Sequence, residues 1–533
     1  VLPEWHAICA RVLEERALEN GTGDLAPVAE TLAVHLERAE EPRRALRFFL
    51  LAVDHALSQF AFDDALALSR RAARLASGPA VDFDDVVAAD LAEGKALFVS
   101  GQIREARAFL EAAIARPGLA RAAACAELYV WLARACCQLG AYEPGLAHVE
   151  RALSSPEPVG SAATARLLVA RAELVLHTQP RQADKDADRA LTLLGKRPSL
   201  GDELATLAIK GAACLELGRF ADAAAAARRR VTLCQSAGRR LDEIPALRAL
   251  GEAIAAEGDR LGAREHLNAA LKLARQSGHR FEEALLHKAF GDQLFVSGAS
   301  AEAIARYQNA ATLSADLGQT LARAESLKSI GRCYVARGDY DRAIDHLRAA
   351  VEAFDRFGAD DDAVRARAAL VQALLTKNAI PEAEVVLLAA RSRLKKTALP
   401  RAVGDFEQAD AQLAMQRGDL PAARAAFLRA CVAWRKVRDR FALGDALIGF
   451  GQLLLRSSAP RRALRVARRA EWIFTDLDAR AQLKRLQPLL NAAKGLAAQA
   501  RPPQRAPSPS QRAPSSTPRP AQGSSGPSGG PRR

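Results

Sequence analysis

Residues 327–350 read LKSIGRCYVARGDYDRAIDHLRAA, and this stretch decides the fold. Large apolar residues, Ile330, Tyr334 and Leu347, recur at the spacing of one helical face on either side of Gly338. Glycine supplies the dihedrals of a tight turn between two helices. Gly331 in the first helix is small enough to let the second approach closely. Ala343 and Ala350 in the second are seven residues apart and share a face, which leaves room for a neighbour to dock. The reading is a pair of amphipathic antiparallel helices.

The same spelling recurs outward from this stretch. Ala183, Ala223, Ala263, Ala303, Ala343, Ala383, Ala423 and Ala463 follow one another every 40 residues. Twelve residues earlier stand Arg171, Gly211, Gly251, Gly291, Gly331, Val371, Ala411 and Gly451, and five residues earlier stand Gly218, Gly258, Gly298, Gly338 and Gly418. Seven residues later stand Ala190, Ala270, Ala310, Ala350, Ala390, Ala430 and Ala470, with Arg230 the one departure. Two earlier copies sit around Gly94/Gly101/Ala106/Ala113 and Ala133/Gly140/Gly145/Ala152, for ten units in all. Leu250, Leu267, Phe290, Leu294 and Tyr307 fill the gaps between the small residues. A single unit cannot bury its apolar face, so the units must stack into a solenoid. Arg171 and Val371 occupy the small position, and their units are expected to splay.

The run Leu327–Ile330–Gly331–Tyr334–Gly338–Tyr340–Ala343–Leu347–Ala350 resembles the tetratricopeptide signature W-x2-L-G-x2-Y…G…A-x3-F-x2-A. The resemblance spans residues 84–475. Its period exceeds the usual 34 residues and is similar to the long-helix variant of kinesin light chains, spindle-orientation scaffolds and the sensor arm of maltose-regulator-class bacterial ATPases. It implies an all-α, right-handed superhelical solenoid of antiparallel helix pairs. Four more helices are expected at 2–19, 25–39, 42–58 and 62–76. The degenerate repeat text from His35 to Ala72 is similar to the junction between an NTPase module and its helical arm in bacterial signal-transducing ATPases and kinase-fused relatives. The expected organisation is an N-terminal helical segment over 1–78, the array over 79–478, a capping helix over 479–498 and a tail over 499–533. The tail is Pro, Ser, Gly and Arg without a large apolar residue, which predicts disorder.

Composition agrees with packed helices: 49% of the 533 residues are hydrophobic and 5% aromatic, with Ala, Leu, Arg and Glu abundant. No apolar run reaches the ~18 residues of a membrane span, and the first residues lack the basic-then-apolar spelling expected of an export signal. The eight cysteines form no C-x-x-C pair, so they read as reduced thiols in a cytoplasmic protein. Arg outnumbers Lys 63 to 13, as in GC-rich bacteria. The chain opens on Val1 and its one Met is Met415, the expected look of a piece of a longer protein or of a start at a non-standard codon. Charge is uneven: residues 385–485 hold 21 basic and 9 acidic residues, and residues 486–533 hold 7 basic and none acidic.

The candidate catalytic and metal-binding spellings in the sequence each lack a required residue or context. Asp184-Lys-Asp-Ala-Asp188 imitates the start of a calcium loop, but Arg189 and Gly195 stand where the loop needs Gly and Glu. Gly526-Pro-Ser-Gly-Gly530 spells a nucleophile elbow without a strand before it or a helix after it. His148, His266 and His346 share one helical position in separate units and cannot converge on a metal. No phosphate-binding loop is present. The expectation is a protein without catalytic, metal-binding or cofactor-binding residues.

The resemblance implies that the first helix of each unit lines an inner groove, with exposed positions three before and one after the small residue. These read Arg248/Glu252, Lys288/Asp292, Lys328/Arg332, Ala368/Gln372, Gln408/Gln412 and Ile448/Gln452. Arg248, Lys288, Lys328 and Arg332 are suited to holding carboxylates, and the glutamines to pairing with peptide backbone. The competing reading pairs these cations with Glu252 and Asp292 inside the wall. The Asn of a chaperone-tail clamp is absent. The expected function is a protein–protein interaction scaffold or sensor arm, the C-terminal regulatory part of a larger bacterial signalling protein with a Ser/Thr kinase or NTPase upstream. Its partner would be another protein or peptide, acidic ones included. The alternative is binding of nucleic acid or another polyanion by basic residues 385–533. There Arg461, Arg462, Arg465, Arg468 and Arg469 lie at helical spacing, while Trp434, Phe441 and Trp472 read as core.

Overall fold

The computed structural model describes residues 2–19, 25–59, 61–78, 81–117, 125–154, 160–195, 198–394 and 399–499. Among the described residues every regular element is helical, 25 α-helices and one short 3-10 turn. Leu2–Glu19, Ala29–Arg38, Pro42–Ser58 and Phe62–Ala76 come first. Pro27 lies in the 3-10 turn Ala26–Val28, so the second of these helices begins at Ala29 rather than at 25. Ten helix pairs follow, from Phe83–Val99 with Ile103–Ile114 to Arg440–Arg456 with Pro460–Asp476, and Arg480–Gln499 packs on the last pair. We call the first helix of each pair A and the second B. The expected disorder of residues 499–533 lies, from 500 onward, outside the described residues.

Size complementarity joins A to B. A Cβ on Gly331 would stand 2.6 Å from Leu347 Cγ, one on Gly291 2.6 Å from the Tyr307 ring, and one on Gly251 2.8 Å from Leu267 Cγ. In each case the large residue lies sixteen positions on, in helix B. In the Arg171 and Val371 units, expected to splay, helices A and B remain packed on each other. Sixteen positions after Arg171 stands Ala187, and the Arg171 guanidinium turns aside to donate to both oxygens of buried Asp186 at 2.8 and 2.6 Å. Val371 is wholly buried in the same cluster as Ala383 and Leu387.

Turns between helices repeat at half the period. Left-handed backbone occurs at Gly218, Gly238, Gly258, Gly278, Gly298, Gly318, Gly338 and Gly358, then at Asn378, Gly418, Arg438, Ser458 and Asp478. Both the A-to-B turn and the turn to the next unit thus use the same C-terminal cap. Asp259, Asp339 and Asp419 follow their glycines and accept a hydrogen bond from the backbone N–H three residues on, capping helix B.

The stack winds until successive turns of the superhelix touch. Gln319 Nε2 donates to the Val99 carbonyl at 2.6 Å across 220 residues, and Arg104 Nε to the Phe357 carbonyl at 3.2 Å across 253. Further along the same seam, Arg260 donates to the Leu477 carbonyl and pairs with Asp478 at 3.6 Å. Arg401 pairs with Glu216 at 3.6 Å. Val99, Phe357 and Leu477 end or directly follow helices, where carbonyls lack intrahelical partners and the helix dipole favours a cation.

Candidate binding groove

The inner wall is an ion-pair ladder along the A helices. Arg248 Nε donates to Glu282 at 2.9 Å, one unit on, and its Nη1 to Glu252 at 3.2 Å. Lys288 pairs with Asp292 at 3.1 Å, and the Tyr307 hydroxyl donates to the same carboxylate at 2.6 Å. Lys328 Nζ contacts Glu325 at 2.5 Å and Asp362 at 3.4 Å, with the Phe354 ring centre 5.4 Å away. Arg365 continues the ladder to Asp362 and to Asp405, each at 3.2 Å. Burial opposes ionisation of Glu325, but Lys328, Arg365 and Lys288 outweigh it and hold that carboxyl well below the usual range. Burial pushes Asp362 the other way, and the nearby Glu325 charge adds to the push.

Of the two readings open for these cations, this arrangement favours pairing inside the wall over four cations presented to a partner. Lys328 is 3% exposed and spends its charge inside the wall. Arg248 and Lys288 are half-buried and paired. Ala368 and Ile448, assigned to exposed positions, are buried. Arg332 is exposed, with its guanidinium 5.1 Å from the Phe295 ring centre.

Five of the ten expected groove residues meet in one cleft. Its lining takes Lys328 and Arg332 from one unit, Gln372 from the next and Gln408 and Gln412 from a third, with Phe441 and Asp445 from a fourth. Gln408 Oε1 accepts from Trp434 Nε1 at 3.3 Å, which fixes that amide. Burial pushes the Asp445 carboxyl up, against the opposing pull of Arg485 and Arg332. Arg248, Lys288 and Gln452 do not line this cleft.

Glu252 and Asp292 line a second cavity, of about 720 Å³, between superhelical turns. Leu215, Phe220 and Val296 from one turn face Val437, Phe441 and Leu477 from the next. Sequence reasoning missed this cavity, because no local pattern relates its two walls. The local signals are Arg438 and Asp478, which stand in left-handed backbone where Gly238, Gly278, Gly318 and Gly358 stand in sibling units and which both line the cavity; Arg438 packs against Gly218.

The remaining candidates resolve into structural roles. Asp184, at the start of the calcium-like run, is paired with Lys210 at 2.7 Å and Arg219 at 2.6 Å. His148 lies 3.8 Å from Glu111, and His346 stacks on Tyr334 with centroids 5.6 Å apart. Among the described residues no group of three His, Cys, Asp or Glu side chains is placed to hold a metal. Burial pushes the Cys136 thiol up to about 11 and the Cys333 thiol up to about 12, away from reactive thiolates. No described helix is long and apolar enough to cross a membrane. Gly526–Gly530 falls outside the described residues. Trp434 is buried as expected of core, but Trp472 is not: it is 63% exposed.

Residues 281–356 match the tetratricopeptide-repeat family model. No curated protein matches the chain. Among solved structures, a Rap protein complexed with competence and sporulation factor is similar at 14% identity and a TM-score of 0.47, over 66% of this chain and 99% of its own. Aspartyl phosphate phosphatase F from Bacillus subtilis is similar at 12% identity and 0.45, over 67% and 94%. The apo quorum sensor NprR from B. thuringiensis is similar at 12% identity and 0.43, over 63% and 97%.

Proposed function

We propose that this chain, a tetratricopeptide-type repeat protein, is a protein-interaction arm whose concave face takes an extended segment of another protein. The observation that carries the reading is the cleft in which Arg332, Gln372, Gln408 and Gln412 from three successive units converge. An extended peptide offers a backbone amide at every residue, and Gln372 and Gln412 supply donors and acceptors to it. Arg332 adds a charge-assisted bond to one carboxylate. The wall's other cations are neutralised, so the partner is recognised through its backbone more than through a high acidic charge. We further read the arm as the regulatory part of a larger bacterial signalling protein acting in the cytoplasm. The Arg-rich composition and the N-terminal degenerate repeats support that reading.

The test is a selection of random displayed peptides on the full chain. Enriched peptides are expected to lose about tenfold or more in affinity when Arg332→Glu is combined with Gln412→Ala, the loss of roughly one charged hydrogen bond. The melting temperature should stay unchanged. Peptides that bind the double variant as well as the wild type would remove the groove from the function.

A further inference from the structure

The convex face of the last units carries a second surface, independent of the groove. Helix Pro460–Asp476 buries Ala463, Ala467, Ala470 and Phe474. At about 100° per residue, Arg461, Arg465, Arg468, Arg469 and Trp472 fall on the opposite side, within an arc of about 100°. Arg465, Arg468 and Arg469 are exposed, and among the described residues none has a carboxylate within ion-pair distance. This sets them apart from the cations of the inner wall, nearly all of which are paired. The acids of the same helix do not neutralise them. Asp476 is held by Arg440 at 2.6 Å, and Glu471 lies about 100° from the centre of the arc.

Trp472 lies in the middle of this arginine arc. The Arg440 guanidinium sits 5.2 Å from the ring centre on one side, and 63% exposure leaves the rest of the indole to solvent. A large aromatic held outward by a neighbour, with the unpaired guanidinium groups of Arg465, Arg468 and Arg469 on the same face, has the composition of a stacking platform beside a phosphate track. Arg465 and Arg468 are separated by about 4.5 Å of rise along the helix, close to one helical turn. The chain beyond residue 499 adds six arginines and no acid.

We propose that this face binds single-stranded nucleic acid, with a base stacked on Trp472 and phosphates held by Arg465, Arg468 and Arg469. A duplex keeps its bases stacked on one another and offers the indole no free face. An acidic peptide would match the arginines but leave the exposed ring unused. Leu428 and Val432 are also exposed, on the preceding outer helix Leu420–Lys436. An anionic bilayer is therefore the competitor that the experiment must separate.

The experiment titrates the full chain with a fluorescein-labelled oligothymidylate of about 15 nucleotides, the matching duplex, and vesicles containing phosphatidylserine. The oligothymidylate is expected to bind best and to quench tryptophan emission. Its affinity should fall with salt at a log–log slope of about −2, the value for three phosphate contacts on a single strand. Trp472→Ala should weaken binding at least about fivefold, and Trp472→Phe should restore most of it. Arg465→Glu with Arg468→Glu and Arg469→Glu should abolish the Trp472-dependent binding. Removal of residues 500–533 should leave the Trp472 dependence intact. These side chains face solvent, so the melting temperature should not move. Absence of binding at low salt, preference for duplex or vesicles, or binding indifferent to both sets of substitutions would each overturn the proposal.

Discussion

A missing side chain at Gly331 sets the distance between the two helices of its unit. Leu347 occupies the space that a Cβ would need, 2.6 Å away. Gly331→Leu is therefore expected to overpack the unit and destabilise it by about 1–3 kcal/mol, read as a lower midpoint in urea. An unchanged midpoint would mean that the helices are paired in another register. This position was legible in the sequence because its partner lies sixteen residues away on the adjoining helix. Arg171 was not, although it occupies the same site. Its outcome depended on Asp186 being placed to receive the guanidinium and on Ala187 leaving room beside it. Trp472 misled for a different reason. An apolar residue in an amphipathic helix is ordinarily core, yet the helical wheel puts it seven residues from Arg465, on the solvent side.

Between helices, the governing interaction of the inner wall is the ladder of charges that links unit to unit. Within it, Glu325 is held ionised by Lys328 and Arg365 despite burial. A carboxyl whose folded pKa is depressed stabilises the fold above its unfolded pKa and loses that contribution as pH falls through the folded value. Glu325→Gln is thus expected to lower the melting temperature at pH 7. The gap to wild type should begin to close below about pH 4.3, the ordinary range of a free glutamate. A gap independent of pH would show that packing, not charge, is lost. The sequence named Lys328 and Arg248 as wall residues and left open whether they face a partner or the wall. Periodicity locates a side chain on a helix face. It does not reveal that Glu282 and Asp362 of the next unit reach the same spot. The turns show the reverse case, in which the signal was present and went unread. Gly238, Gly278, Gly318 and Gly358 mark a 20-residue half-period as clearly as Gly258 and Gly338 mark the full one.

For the whole molecule, the decisive feature is the seam where successive superhelical turns meet. Arg104 and Arg260 donate across it to carbonyls at helix ends. Arg104→Ala with Arg260→Ala is expected to remove about 1 kcal/mol per contact, discounted for solvent exposure. It should also increase the radius of gyration measured by small-angle X-ray scattering. An unchanged radius would assign the winding to packing within each turn alone. The sequence by itself determined the helices, their pairing into units and the stacking of each unit on the next. All of those contacts join residues within about one period, so they appear as local repetition of small and large side chains. The tertiary structure alone decided how tightly the stack winds, which cations are neutralised, and where the inter-turn cavity opens. Each of these rests on which groups of different helices come face to face. At the seam such residues are 185 to 253 positions apart, from Glu216 and Arg401 to Arg104 and Phe357, and no local repeat encodes which of them will meet.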